Sequence, residues 1–189
     1  MDLAISVLGQ VTTGLEGLGI PYALVGSLAS SIHGLYRSTA DIDLLADVEM
    51  SQATSLFITL RDEFYVDERV IREAIAQRRS FNAIHYEAVF KVDIFISPRD
   101  DFSTAQLQRR QLREIPGTEH KIFVISAEDT VLAKLNWYRV GNETSNTQWT
   151  DVVGVLAISR NQLDLSYMTS WANKLGLNDL LLKAIREAT

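Results

Sequence analysis

Three aspartates carry the chemistry this sequence points to. Asp41 and Asp43 lie in Asp41-Ile42-Asp43-Leu44, and Asp93 lies in Lys91-Val92-Asp93-Ile94-Phe95. Residues two apart on a strand share a face, so the Asp41 and Asp43 carboxylates would point the same way. Adjacent carboxylates repel unless a cation lies between them. Asp93 is a lone acid in an otherwise apolar run, and burying an unpaired charge is costly. A neighbouring strand carrying Asp41 and Asp43 with bound metal would remove that cost. Oxygen donors favour Mg²⁺ or Mn²⁺ over zinc. Three carboxylates can hold two such ions, which would clamp the attacking and leaving oxygens of an in-line phosphoryl displacement. The plainer readings are a solvated strand edge for Asp41 and Asp43, and a cap or an ion pair with Lys91 for Asp93.

Upstream, the apolar run Tyr22-Ala23-Leu24-Val25 meets Gly26-Ser27 and a stretch of small residues, and thirteen residues separate Ser27 from Asp41. A strand entering a helix through glycine lets backbone approach a phosphate closely. The helix N-terminus then attracts the anion. The Ser27 hydroxyl can bond a phosphate oxygen or simply cap the helix. Arg37, just before the acidic strand, is a further candidate for phosphate or acceptor.

Together with Asp93, fifty residues after Asp43, the Gly26-Ser27…Asp41-Ile42-Asp43 pattern resembles the signature of the DNA polymerase β-type nucleotidyltransferase superfamily. In that family a Gly-Ser or Gly-Gly turn binds phosphates, and the three acids bind two Mg²⁺. Several further stretches resemble AbiEii-like toxins and their bacterial relatives: Ser30-Ser31-Ile32-His33-Gly34, Arg37-Ser38-Thr39-Ala40, Ser126-Ala127-Glu128-Asp129 with Lys134-Leu135, and Gln148-Trp149 with Asp151-Val152. The likeness spans roughly residues 20–160. It implies that Lys134 is a phosphate ligand and Asp151 a candidate base or orienting residue. A snorkelling surface lysine and a Lys134–Asp151 salt bridge are the structural alternatives.

The implied activity is Mg²⁺-dependent (or Mn²⁺-dependent) transfer of a nucleoside monophosphate from an NTP to an acceptor hydroxyl. The acceptor stays open between tRNA, as in toxin–antitoxin systems with a cognate antitoxin, and a small molecule. The alternative is a catalytically silent nucleotide-binding or partner-binding module of the same fold.

The elements that must position these residues can be read from periodicity. Helices are expected at 3–18, 27–33, 51–61 with Ser51 as cap, 68–77 and 100–110, and strands at 22–25, 41–46, 63–66, 81–87, 89–96 and 121–125. From Ser126, which caps the next helix, only helical patterns follow: 130–140, 148–159, 166–175 and 178–187. Residues 141–147 read as a polar linker. The expected architecture is α+β: a mixed sheet with flanking helices over residues 1–125 carries the metal site, and a helical region over 126–189 completes the cleft. Trp137, Tyr138 and Trp149 read as core in preference to base-stacking rings. His33, His85 and His120 read as structural.

Composition sets outer bounds. The 189 residues suit one large domain or two small ones. The absence of cysteine excludes disulfides, thiolate zinc sites and cysteine nucleophiles. No secretory leader or membrane span is expected, and a cytoplasmic location is. The net charge of −6 is unlike that of a dedicated nucleic-acid binder. Basic runs at Arg69–Arg79 and Arg109–Arg113 could meet an anionic partner, or be solvated helix faces.

Overall fold

The computed structural model describes residues 2–36, 39, 41–88, 90–114 and 121–188. Among them the chain runs α1 (Asp2–Gly17), β1 (Tyr22–Val25), α2 (Gly26–His33), β2 (Asp41–Ala46), α3 (Ala53–Leu60), β3 (Phe64–Tyr65), α4 (Glu68–Gln77), β4 (Ser80–His85), β5 (Lys91–Ile96), α5 (Asp101–Arg109), β6 (Gln111–Glu114), β7 (Lys121–Val124), α6 (Ala127–Val140), α7 (Asn146–Ser159), α8 (Leu165–Leu175) and α9 (Asn178–Glu187). It divides into two compact units, Met1–Val25 with Thr39–Val124, and Gly26–Ser38 with Ile125–Thr189. No helix among the described residues is long and apolar enough to cross a membrane.

The first unit is built on a seven-stranded sheet of order β3-β4-β5-β2-β1-β7-β6. β2 pairs parallel with β5, and β1 parallel with β7, while the remaining neighbours are antiparallel. In β4, β5 and β2 every second residue is buried: Phe81, Ala83 and His85; Val92, Ile94 and Ile96; Ile42, Leu44 and Ala46. The alternate residues of β4 and β5, and Asp41 and Asp43 of β2, face the other way and keep contact with solvent. One face of these strands is therefore core and the other is open, as expected where antiparallel pairing contributes to a half-buried sheet. α1 buries Val7, Leu8, Val11 and Leu15. Tyr22 ties this helix to β1 by donating to Glu16 Oε1 at 2.6 Å. Burial, followed by that bond, pushes the phenol pKa above its ordinary range.

One local expectation changes, and one strand is added to those expected. Ser51 does not cap a helix: Met50–Gln52 form a 3₁₀ turn, and α3 starts only at Ala53. The turn is closed by Glu49 N–H donating to Gln52 Oε1 at 2.9 Å, so Ser51 sits inside it. β6 has no alternating pattern because all four of its residues are exposed. It exists through antiparallel pairing with β7. The basic run over 69–79 behaves as a solvated helix face with acidic partners: Arg69 pairs with Glu73, Arg72 with Glu68, and Arg78 with Asp47.

The second unit is helical, and the segment holding α2 belongs to it. His33 Nε2 lies 2.8 Å from the Ile125 carbonyl, and Ser159 Oγ donates to the His33 carbonyl at 2.8 Å. Ser126 caps α6 through Asp129 N–H at 3.1 Å, and the buried Asp129 carboxylate accepts from the Ser126 and Tyr167 hydroxyls at 3.0 and 2.7 Å. Tyr138 is core, and its ring meets Trp149 at 5.2 Å between centroids. Trp137 is not core: it is 59% exposed, because the inner stripe of α6 runs through Val131, Leu135 and Tyr138. At Gly34 a methyl group would stand 2.8 Å from the Val155 nitrogen and 3.0 Å from the Gly154 carbonyl carbon.

That contact gives a stability prediction. Gly34→Ala should destabilise the protein by about 1–3 kcal/mol, since backbone cannot yield as a flexible side chain does. Gly17→Ala, where a Cβ meets nothing within 4 Å, should be neutral or stabilising by up to about 1 kcal/mol. Urea unfolding of both variants measures the contrast.

Candidate functional site

The open face of the sheet assembles the three aspartates. β2 and β5 run parallel in a register that sets Asp43 beside Asp93 and Asp41 beside Lys91. Parallel neighbours lie about 4.8 Å apart, and residues in register project from the same side. Asp41 and Asp43 share that side through their two-residue spacing. The buried residues Ile42, Leu44, Val92 and Ile94 hold the register from behind. Asn82 of β4 stands in register with Asp93 and is exposed, so it joins the same row.

Lys91 completes the electrostatics of this face. Its Nζ lies 2.8 Å from Asp93 Oδ2 and 3.7 Å from Asp41 Oδ1. The bond to Asp93 raises the ammonium pKa against the opposing effect of desolvation. The Lys91–Asp93 ion pair foreseen as the plain reading is therefore present. With the side chains so disposed, no group of three His, Asp or Glu among the described residues is arranged to hold a metal. The donor chemistry nevertheless fits a hard divalent cation: three carboxylates occupy one face of two adjacent strands, and a positive group already stands against two of them.

Val25 is the register partner of Asp43, and Gly26 follows it along the chain. Gly26 has φ +65°, a left-handed conformation that glycine adopts without the steric cost of a Cβ. The strand-to-helix turn thus explains the residue type at 26. Ser27 stands in the first turn of α2, where its carbonyl lies 3.1 Å from Ser31 Oγ.

Lys134 and Asp151 come together in the helical unit. Lys134 Nζ lies 2.8 Å from Asp151 Oδ2, with both side chains about 95% buried. The ammonium also donates to Gln148 Oε1 at 3.0 Å. Ser30 Oγ lies 3.4 Å from Asp151 Oδ2 and 3.0 Å from the Gly26 and Ser27 carbonyls. The pair therefore joins α6 to α7 and reaches α2. A snorkelling lysine does not describe Lys134, because its charge is inside the fold. Arg37 and His120 lie outside the described residues.

Three contributors were not singled out as site residues from the sequence. Lys91 had a usable signal, its two-residue spacing from Asp93. Asn82 had none, since only strand pairing brings it to this row. Ser30, although inside the Ser30–Gly34 stretch of the resemblance, carried no signal for its place beside Asp151.

Removing one partner of a buried ion pair strands the other, which costs about 3–5 kcal/mol. Asp151→Leu and Lys134→Met should each destabilise on that scale. The double variant Lys134→Met/Asp151→Leu should lose much less than the sum of the single losses. Chemical denaturation of the four chains measures the coupling.

No protein-family model and no curated protein sequence matches the chain. Solved structures do. An antigenic nucleotidyltransferase-like protein from Paracoccidioides brasiliensis aligns with TM-score 0.56 at 17% identity, over 96% of this chain and 91% of that one. The antibiotic-resistance factor ANT(2″)-Ia aligns in its solution structure with TM-score 0.59 at 11% identity, over 100% of both chains. In complex with adenylyl-2″-tobramycin, ANT(2″)-Ia aligns with TM-score 0.57 at 10% identity, over 92% of this chain and 97% of that one. A candidate nucleotidyltransferase from Thermotoga maritima aligns with TM-score 0.52 at 19% identity, over 80% and 94%. With its mixed seven-stranded sheet and helical second unit, the chain has the nucleotidyltransferase fold.

Proposed function

We propose that the protein transfers a nucleoside monophosphate from an NTP to an acceptor hydroxyl, with release of pyrophosphate. The observation that carries this reading is the register of β2 and β5. It puts Asp43 beside Asp93, with Asp41 on the same open face, one strand from the Val25-Gly26 turn. Asp41, Asp43 and Asp93 would hold Mg²⁺ or Mn²⁺. Bound there, the cation would acidify the acceptor hydroxyl and neutralise charge on the leaving oxygen.

The Gly26-Ser27 turn would receive phosphate oxygens through its backbone N–H groups and the Ser27 hydroxyl. Lys134 is the proposed phosphate ligand of the helical unit, and Asp151 the proposed base or orienting residue. Their ion pair links the two roles. A phosphate that draws the ammonium away leaves the Asp151 carboxylate able to accept a proton. Arg37 remains a proposed phosphate or acceptor contact.

Between the two acceptor classes, a small molecule is favoured over tRNA. The chain carries a net charge of −6. Arg69, Arg72 and Arg78 of the longer basic run already have carboxylate partners. RNA binding draws on cations available to phosphates. ANT(2″)-Ia, with its adenylylated tobramycin, exemplifies the small-molecule case on the same fold. A toxin role with tRNA and a cognate antitoxin, implied by the AbiEii-like motifs, is the competing proposal.

The test is label transfer from each α-³²P NTP, with Mg²⁺ or Mn²⁺, to a panel of hydroxylated small molecules and to tRNA. Label should appear on a small acceptor only when metal is present. Asp43→Ala and Asp93→Ala should reduce it to background while near-UV circular dichroism stays that of the parent. Transfer at the parental rate in Asp43→Ala would remove that residue from the mechanism, and label on tRNA alone would favour the toxin reading.

A further inference from the structure

Lys91 sits where a bound cation would have to go. It lies two residues before Asp93 on β5, so the strand pleat sends both side chains to the open face. Its register partner on β2 is Asp41, and its register partner on β4 is Ile84, which offers no acceptor. Its Nζ lies 2.8 Å from an Asp93 carboxylate oxygen and 3.7 Å from one of Asp41, two of the three proposed metal ligands. The side chain is 41% exposed, so its head can swing into solvent without unpacking the strand behind it.

We infer that Lys91 is a built-in counter-ion of the carboxylate face, which a divalent cation must displace to bind. This rests on the proposed metal site and adds a regulatory element to it. The lysine lowers the repulsion among the three acids while metal is absent. It also competes with metal for the same oxygens. An ammonium on Asp93 Oδ2 and a dication on the same carboxylate repel each other, so the two compete for it. Metal binding then favours release of the lysine head. A lysine that only repelled the metal through its charge would keep its place, and its accessibility would not change on metal binding.

Two measurements on the full chain test this. In the first, Mn²⁺ is titrated by electron paramagnetic resonance into the parent, Lys91→Met and Asp93→Asn. Lys91→Met should bind Mn²⁺ roughly thirtyfold tighter, the effect of removing one unit positive charge about 4 Å from a dication in water-like surroundings. Asp93→Asn should bind it more weakly. In the second, the parent is acetylated with and without saturating Mn²⁺, and each lysine is followed by peptide mass spectrometry. Labelling of Lys91 should rise with Mn²⁺, while Lys121, paired with Glu114 on β6, should not change. Equal or weaker Mn²⁺ binding by Lys91→Met, or Lys91 labelling indifferent to Mn²⁺, would overturn the inference while leaving the metal site standing. No Mn²⁺ binding by any of the three chains would overturn the metal site and the inference together.

Discussion

The parallel pairing of β2 with β5 is the constraint on which the open face of the sheet depends. Every second residue of these strands is driven into the core: Ile42, Leu44 and Ala46 from one, Val92, Ile94 and Ile96 from the other, each at most 2% exposed. Burying each larger side chain contributes about 1.5–3 kcal/mol. Two carboxylates about 4 Å apart in water-like surroundings repel by only about 1 kcal/mol. The core term wins, so the strands hold Asp43 against Asp93 despite their like charge. A slip of one residue would turn the aspartates inward and the aliphatic residues outward, losing both terms at once. Fold stability and placement of the acids therefore have one cause.

The two units handle charge in opposite ways. On the sheet, the acids lie on a half-open face, where solvent and the flexible Lys91 head keep the local balance adjustable. In the helical unit the charges are sealed in. Lys134 and Asp151 meet at 2.8 Å with Gln148 as a further partner. Asp129 is satisfied by Ser126 and Tyr167, and Glu128 accepts the Asp164 N–H at 3.0 Å. Sealed pairs give fixed geometry but are intolerant of losing one member. An exposed pair is worth little to stability and is free to rearrange.

Much of this was legible in the amino-acid order. The alternation in Ser80–His85 and Lys91–Ile96 marked half-buried strands, and Ser126 with its acidic followers marked the start of α6. Gly26, at φ +65°, stood where the turn needs glycine. Other features left no such mark. β6 is exposed on both faces, so no periodicity betrays it. Ser51 had a capping residue's chemistry, but the 3₁₀ turn closed by Glu49 and Gln52 displaced the helix start beyond it. Trp137 had a core residue's chemistry on the wrong side of α6.

By itself the sequence determined the available chemistry: three oxygen-donor acids, two of them bound to share a strand face, a glycine turn leading into a helix, and no thiol. Those are properties of residue type and short spacing, which local geometry translates directly. Tertiary structure decided which charges meet. Strand register brought Asp43 to Asp93 and Lys91 to Asp41. Helix packing brought Lys134 to Asp151 and drew Ser30 beside them. It also assigned Gly26–Ser38 to the helical unit rather than to the sheet unit that precedes it in the chain. Such pairings are set by burial of apolar faces far apart in sequence, and no local pattern encodes them.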